Sequence, residues 1–508
     1  MSEVSNSTET AVDPPERLIK MIRCVGPGLI VAGSIVGSGE LIATTKAGAE
    51  AGISLLWLIL LGCVIKVFTQ IELGRYTLIS GKTTLAALDL VPGPRVAGRG
   101  NWLVWFWIVM WVASISQLGG IVGGVGQALA ISVPLTSSGR LYNAHADRQQ
   151  RQVFEAAIRT VLAEEADAAL EASVVPKPIA APPKSYDAVL WAAVMAIVTS
   201  VMLIVGRYGL IQSLSTALVI LFTILTVLNT VWLQSDPFWG IPWSEVAAGL
   251  WPQLPEVASG DAASTARPIA TALAAFGIIG VGAGELVVYP YWCLEKGYAR
   301  FTGPNDGTPA WNARAAGWMR VMHLDSWGAM VLYTFATVAF YLLGVGVLHR
   351  IGLNPEKDTL VRTLSVMYQP VFGTAAAMIF LIGAFAVLYS TFFVALAAHA
   401  RVFSDAMRIV GLIDNDEATR EKWIRWLGGG FPILCWVIYV AFPAPAQLVL
   451  ISGVTQGVML PMLAGAALYF RYQFVSEPLR PGRLWDAMLW LSAAAMLITG
   501  IWTIVSQF

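Results

Sequence analysis

Two copies of one hexapeptide hold the residues best suited to chemistry in this chain. Val36-Gly37-Ser38-Gly39-Glu40-Leu41 returns as Val281-Gly282-Ala283-Gly284-Glu285-Leu286, identical at five of six positions. Two glycines in three residues each cost roughly 1 kcal/mol of helix propensity relative to alanine, which invites a helix to break. Broken backbone at membrane depth survives only where it lines a cavity or is buried in protein. A glutamate beside such a break is expensive in hydrocarbon and is a functional candidate for that reason. Two breaks facing each other would present carboxylate and carbonyl oxygens, the ligands preferred by hard cations such as Mg2+, Ca2+ or Mn2+. Glu40 and Glu285 are therefore the expected metal ligands, with Gly37, Ser38, Gly282 and Ala283 around the substrate. The competing reading makes the glycines packing contacts between helices and the glutamates protonated or structurally paired, for instance with Lys46. Duplication at equivalent positions weighs against it.

Other polar residues in apolar sequence have blander readings. Glu72 and Arg75 stand three apart, the spacing of a structural ion pair on one helix face, near Lys66 and Gln70. His323 and Asp325 read as a solvated turn entering the seventh span, and His399 with Asp405 as its counterpart ending the eighth. Cys24, Cys63, Cys293 and Cys435 lie scattered without metal-ligand spacing and read as inert thiols. Most of the twenty tryptophans, Trp102, Trp105, Trp107 and Trp111 among them, fit an interfacial belt. Gly-x-Gly-Glu is similar to the Gly-x-Gly-Asp of intramembrane aspartyl proteases, where two acids share a proton. No separate Tyr-Asp partner accompanies it, and neither His-Glu-x-x-His nor Gly-x-Ser-x-Gly occurs, so an enzyme is not expected.

The elements that must position these residues are membrane spans. Of 508 residues, 56% are hydrophobic and 13% charged, about half the charged fraction usual in soluble domains. Apolar runs of about twenty residues, the length that crosses hydrocarbon as a helix, fall near 25–50, 53–80, 101–133, 187–206, 209–233, 269–295, 325–349, 368–400, 427–443, 446–470 and 484–506. They lack the period-two alternation of a membrane barrel. The hexapeptides sit in the first and sixth of these eleven. A five-plus-five division follows: a polar amino terminus 1–24, a first unit 25–233 carrying the insertion 136–186, a loop 234–268, a second unit 269–473, and 474–508 with the last helix. Five is odd, so the second unit enters from the opposite side, the pattern of an inverted repeat. Within the insertion, Arg148 to Glu171 reads as a surface helix, followed by a loop from Pro176 to Pro183. The Trp- and Pro-rich 234–268 is expected to cap one mouth.

The segments on the amino-terminal side carry nineteen Lys and Arg against ten on the other, which favours a cytoplasmic amino terminus and an extracytoplasmic carboxyl terminus in a cell (inner) membrane. The polar first residues, with Pro14-Pro15, lack a signal-peptide core, so the first span is expected to direct insertion. A formal net charge of zero gives no reason to expect nucleic acid.

Gly26-Pro27-Gly28 before the first break, Ala47-Gly48 and Leu55-Leu56-Trp57 after it, and Ser452-Gly453-Val454 followed by Leu460-Pro461 resemble the Nramp divalent-metal transporters, with Ser390-Thr391 a weaker match. The resemblance implies an all-α integral membrane protein of the LeuT-type fold, with helices 1 and 6 broken and alternating access around them. The departures are equally specific. The family's Asp-Pro-Gly-Asn positions read Gly37, Ser38, Gly39 and Glu40, and its Met-Pro-His segment is missing, with Tyr289-Pro290-Tyr291 nearby. Its tenth-span glutamine falls on Gly453, although Gln456 lies one turn on and joins the candidate site. The acids of its third-span proton route fall near Ser116 and Gly119. The expected function is transport of a divalent cation of the Mg2+ or Mn2+ kind without the usual proton coupling; a related branch of magnesium carriers that also lacks the family's metal ligands is the nearest functional analogue. The alternative is a carrier of a small organic solute such as an amino acid or amine. Partners are then the transported cation or solute and membrane lipid, without a cofactor, and with the oligomeric state open.

Overall fold

In hydrocarbon a backbone must satisfy its own hydrogen bonds, and apolar runs of span length do so as helices. The computed structural model describes residues 11–96, 98–165, 184–206, 209–255 and 262–506. Among these, nine helical stretches are long and apolar enough to cross a membrane. The first, Pro27–Ser80, is too long for one crossing and turns at Gly52, whose φ of 60° suits glycine. The apolar helix Gly209–Leu233 lies between the fourth and sixth expected spans. Each of the eleven expected spans falls on helix.

Several boundaries differ from expectation. The seventh helix begins at Pro309 rather than near 325, the eighth runs to Ile409, and the ninth begins at Glu417. Thr308 and Asp416 explain the early starts, since each side chain caps the first turn by accepting a backbone N–H. In the insertion, the helix spans Ser137–Glu165, starting well before Arg148, and the expected loop 176–183 lies outside the described residues. Arg362 anchors this helix through Asp147 and Asn143. A small antiparallel ribbon, Arg95–Val96 with Arg99–Asn101, adds an unexpected element to an otherwise helical molecule.

The described part of 234–268 packs on the start of the second span: the Gln253 carbonyl accepts the Trp57 indole N–H at 3.0 Å, and Gly249 lies against Ile53. Trp107 and Trp111 are buried in the core instead of joining a belt. The centre is closed by glycines: a Cβ on Gly277 would stand 2.0 Å from the Gly453 carbonyl oxygen, and one on Gly453 2.3 Å from that of Ala274. The sixth and tenth helices thus cross backbone to backbone, as small residues permit in membranes.

Candidate functional site

Both hexapeptides interrupt their helices. The first span is helical over Pro27–Ile35, leaves that geometry at Val36, and resumes as π-helix Gly39–Thr44 and α-helix Thr45–Ala51. The sixth is split into Ala262–Ile278 and Ala283–Lys296. The second break lies at Ile279–Gly282 rather than Gly282–Gly284. Gly280 adopts φ 56°, the left-handed turn that ends a helix, while Gly282 precedes the first turn of the new one.

The two glutamates are used differently. Glu40 is fully buried; one oxygen accepts from the Gly280 N–H at 3.3 Å and the Thr337 hydroxyl at 3.2 Å. Its other oxygen accepts from the Gly37 N–H at 3.5 Å, the long limit of a hydrogen bond. Glu40 therefore ties the two breaks to each other and to the seventh helix, where an open metal ligand was expected. Glu285 lies on a cavity wall with its carboxylate folded back over Gly282, where an added Cβ would meet Oε2 at 2.6 Å.

That cavity, about 40 Å3, is lined by Ser38, Gln117, Glu285, Thr391, His399 and Gln456, with Ile35, Ile278, Val288 and Trp292 as apolar wall. About 10–15 Å3 holds one water, so the space suits a small ion that keeps at most a few waters in this conformation. Its walls come mostly from the first half of the first span, the third span, the second half of the sixth and the later eighth, with Gly39, Ile278 and Gln456 at its inner end, so it extends from the breaks toward the amino-terminal side. Gly37, Gly282 and Ala283 are buried beside it. A polar relay joins the two broken helices through other spans. Gln117 Nε2 donates to Ser38 Oγ at 3.0 Å, Gln456 Nε2 to Gln117 Oε1 at 3.0 Å, and the Gly284 N–H to Gln456 Oε1 at 2.9 Å. Ser452 adds a bond to Gln117 at 2.8 Å. Among the described residues no group of three or more His, Cys, Asp or Glu could hold a metal. Ligands here would be one carboxylate with amide, hydroxyl and carbonyl oxygens.

Tethers hold both halves of the first helix. On the amino-terminal side, Asp325 accepts from the N–H groups of Gly26 and Gly28 at 2.9 and 2.5 Å and from the Tyr289 hydroxyl at 3.2 Å. On the opposite side, Lys46 bonds Asn354 at 2.5 Å and pairs with Glu50 at 2.9 Å and Glu356 at 3.1 Å. Arg267 joins Glu50 at 3.3 Å and also Glu356. The opposite face is thereby closed while the cavity lies on the amino-terminal side.

Asp325 is thus no solvated turn, because the helix starting at Pro309 carries it into the core at 3% exposure. Asp405 is also buried, paired with Arg420 at 2.8 Å, and His399 faces the cavity. The Glu72–Arg75 pair forms as expected, at 3.0 Å and buried. Gln117, Thr391 and Thr337 were not singled out for the site. A polar side chain inside an apolar span was their available signal. Lys66 was seen only as a neighbour of an ion pair, yet its Nζ donates to the carbonyls of Phe276 and Ile279 at the sixth-helix break.

A family model described as "Natural resistance-associated macrophage protein-like" matches residues 183–506, more than half of the chain. Metal transporter Nramp6 of Oryza sativa subsp. japonica is 29% identical over 133 residues, a stretch covering 26% of this chain and 23% of that protein. A mutant of the Eremococcus coleocola manganese transporter superposes with a TM-score of 0.60 at 15% identity, covering 99% of this chain and 91% of the other. The same transporter in complex with an aromatic bis-isothiourea substituted compound gives 0.59 over the same coverage. These structures share the fold, the LeuT type that the resemblance to the Nramp transporters implied.

Proposed function

Since the chain belongs to the natural resistance-associated macrophage protein-like (Nramp) family, we propose that it carries a divalent cation of the Mg2+ or Mn2+ kind by alternating access. The observation that carries this reading is the Ser38–Gln117–Gln456–Gly284 relay, which joins both broken helices beside the Glu285 carboxylate. Hard oxygen donors around one carboxylate suit a cation that keeps part of its water, as Mg2+ does. The relatives named as metal and manganese transporters support a metal cargo. Glu285 is the ligand with charge, Ser38 and Gln456 supply neutral oxygens, and Glu40 acts by holding the breaks together.

Proton movement with the cargo is not expected through the third span. It contains no Asp or Glu. Ser116 donates back to Val112 of its own helix at 3.2 Å, and Gly119 packs on Cys435 and Ile438. With the amino terminus cytoplasmic, the cavity faces the cytoplasm and the described conformation is inward-facing.

Binding by calorimetry tests the cargo. Glu285→Gln should weaken Mg2+ or Mn2+ binding at least about tenfold, roughly 1.4 kcal/mol, with loss of uptake into proteoliposomes. Unchanged binding and uptake would remove Glu285 from the site. One feature suits a second reading, a carrier of a small organic amine or amino acid: Glu285 is the one carboxylate among the residues lining the cavity, a partner for a cargo ammonium. That reading requires no direct Mg2+, Ca2+ or Mn2+ binding by the wild type, and solute uptake that Glu285→Gln abolishes.

A further inference from the structure

Lys66 lies in the second span with no solvent exposure, and among the described residues it forms no ion pair. Its Nζ stands 2.7 Å from the Phe276 carbonyl oxygen and 2.5 Å from that of Ile279, and 4.9 Å from the centre of the Phe276 ring. A lone buried ammonium is costly unless its hydrogens and charge are answered. Here the hydrogen-bond acceptors come from a broken helix end, and the Glu285 and Glu40 carboxylates lie near enough to attract the charge as well. The helix Ala262–Ile278 leaves its last carbonyls without intrahelical partners and ends in a partial negative charge. The Phe276 ring face offers further attraction to a cation. The next N–H along, that of Gly280, is taken by Glu40. Carbonyls at interrupted membrane helices are the usual ligands of a mobile cation.

We propose that Lys66 is a tethered cation, permanently filling a monovalent-cation site at the end of the first half of the sixth helix, so that no mobile ion enters this break. The proposal concerns the break and is independent of which cargo crosses the membrane. It makes Lys66 a positioning residue, with Phe276 and Ile279 as the ligand carbonyls.

Removing the side chain to Cβ should turn a built-in cation into an exchangeable one. The full chain in detergent is melted in choline, sodium, potassium and methylammonium chloride at equal ionic strength. Lys66→Ala should melt below the wild type in choline. It should then gain about 2 °C or more, saturably, with methylammonium or a small alkali cation. The wild type, and Lys66→Met with its space filled by an apolar chain, should show no such gain. Equal melting of Lys66→Ala in all four salts, or an equal saturable gain in the wild type, would overturn the proposal. If Lys66→Ala does not fold in choline, recovery in methylammonium supports it. Lys66→Ser, which keeps a hydroxyl donor and leaves similar room, is read in the same way. Failure of both variants to fold in every salt also overturns it, because the carbonyls would then be unable to hold a free cation. Calorimetry with Mg2+ or Mn2+ on the same wild-type sample reports the cargo separately; lack of binding there leaves the melting comparison intact.

Discussion

Glu40 and Glu285 occupy matching positions in near-identical hexapeptides, yet substituting them should give opposite phenotypes. Glu40 accepts the Gly280 and Gly37 N–H groups and the Thr337 hydroxyl. Truncation strands these donors in the core at about 1–3 kcal/mol for each buried group. Glu40→Ala should therefore lower the unfolding midpoint strongly and Glu40→Gln, which keeps one acceptor oxygen, less so. Glu285→Gln, on the cavity wall, should leave the midpoint close to wild type while binding falls. A Glu40→Ala protein as stable as wild type would contradict its part in joining the breaks. Gly280→Ala belongs with Glu40→Ala, because a left-handed residue with a side chain costs roughly 1–2 kcal/mol, and its Cβ would stand 3.0 Å from Cys63 Cα.

Among the elements, the first half of the first span has the most specific attachment. Its opening N–H groups, those of Gly26 and Gly28, point at the Asp325 carboxylate, an anion at a helix N-terminus. The contact is close enough that a Cβ on Gly28 would stand 2.6 Å from the Asp325 carbonyl oxygen. Asp325→Ala should release Pro27–Ile35 from the seventh helix. Hydrogen exchange over residues 26–35 should then rise by about tenfold or more, while the tenth helix stays protected. Gly28→Val should reproduce the effect sterically with the carboxylate intact. Exchange unchanged in both variants would show that packing on other helices, and not Asp325, holds this half in place.

For the whole molecule, the closed face opposite the cavity rests on charges drawn from three places: Lys46 and Glu50, Arg267, and the segment holding Asn354 and Glu356. Thr271 adds a hydroxyl bond to Glu50 at 2.6 Å. Opening that face in an alternating-access cycle requires breaking this network. Arg267→Ala should raise hydrogen exchange over 45–51 and 266–278 in concert. Partial burial pushes the Glu356 carboxyl up, but hydrogen bonds and charge from Lys46 and Arg267 outweigh it and hold the group below its usual 4.5. A lowered value in the folded state means that its stabilisation is complete above pH 4.5 and is lost as pH falls through the lower folded value. The wild-type melting temperature should therefore drop more steeply than that of Glu356→Gln once the pH passes below about 4.5, with parallel curves above it. Parallel curves throughout would show that the carboxylate contributes nothing there, as many partly exposed pairs do.

The amino-acid sequence by itself determined what local chemistry controls. Run length and apolarity place the spans, because hydrocarbon thickness sets helix length, and paired glycines locate both breaks to within about three residues. The duplicated hexapeptide pointed to the centre of the molecule, and the Glu72–Arg75 pair followed from helix spacing alone. Tertiary structure decided where each side chain points. Glu40 meets its break partner 240 residues away and Lys66 its carbonyls 210 and 213 away. No periodicity within one span specifies which neighbouring helix will offer a donor or an acceptor. His323 and Asp325 were misplaced for a related reason: a polar start looks like a loop until Thr308 caps it and other helices bury it. Two nearly identical segments therefore stand in different surroundings, because the helices packed around them differ.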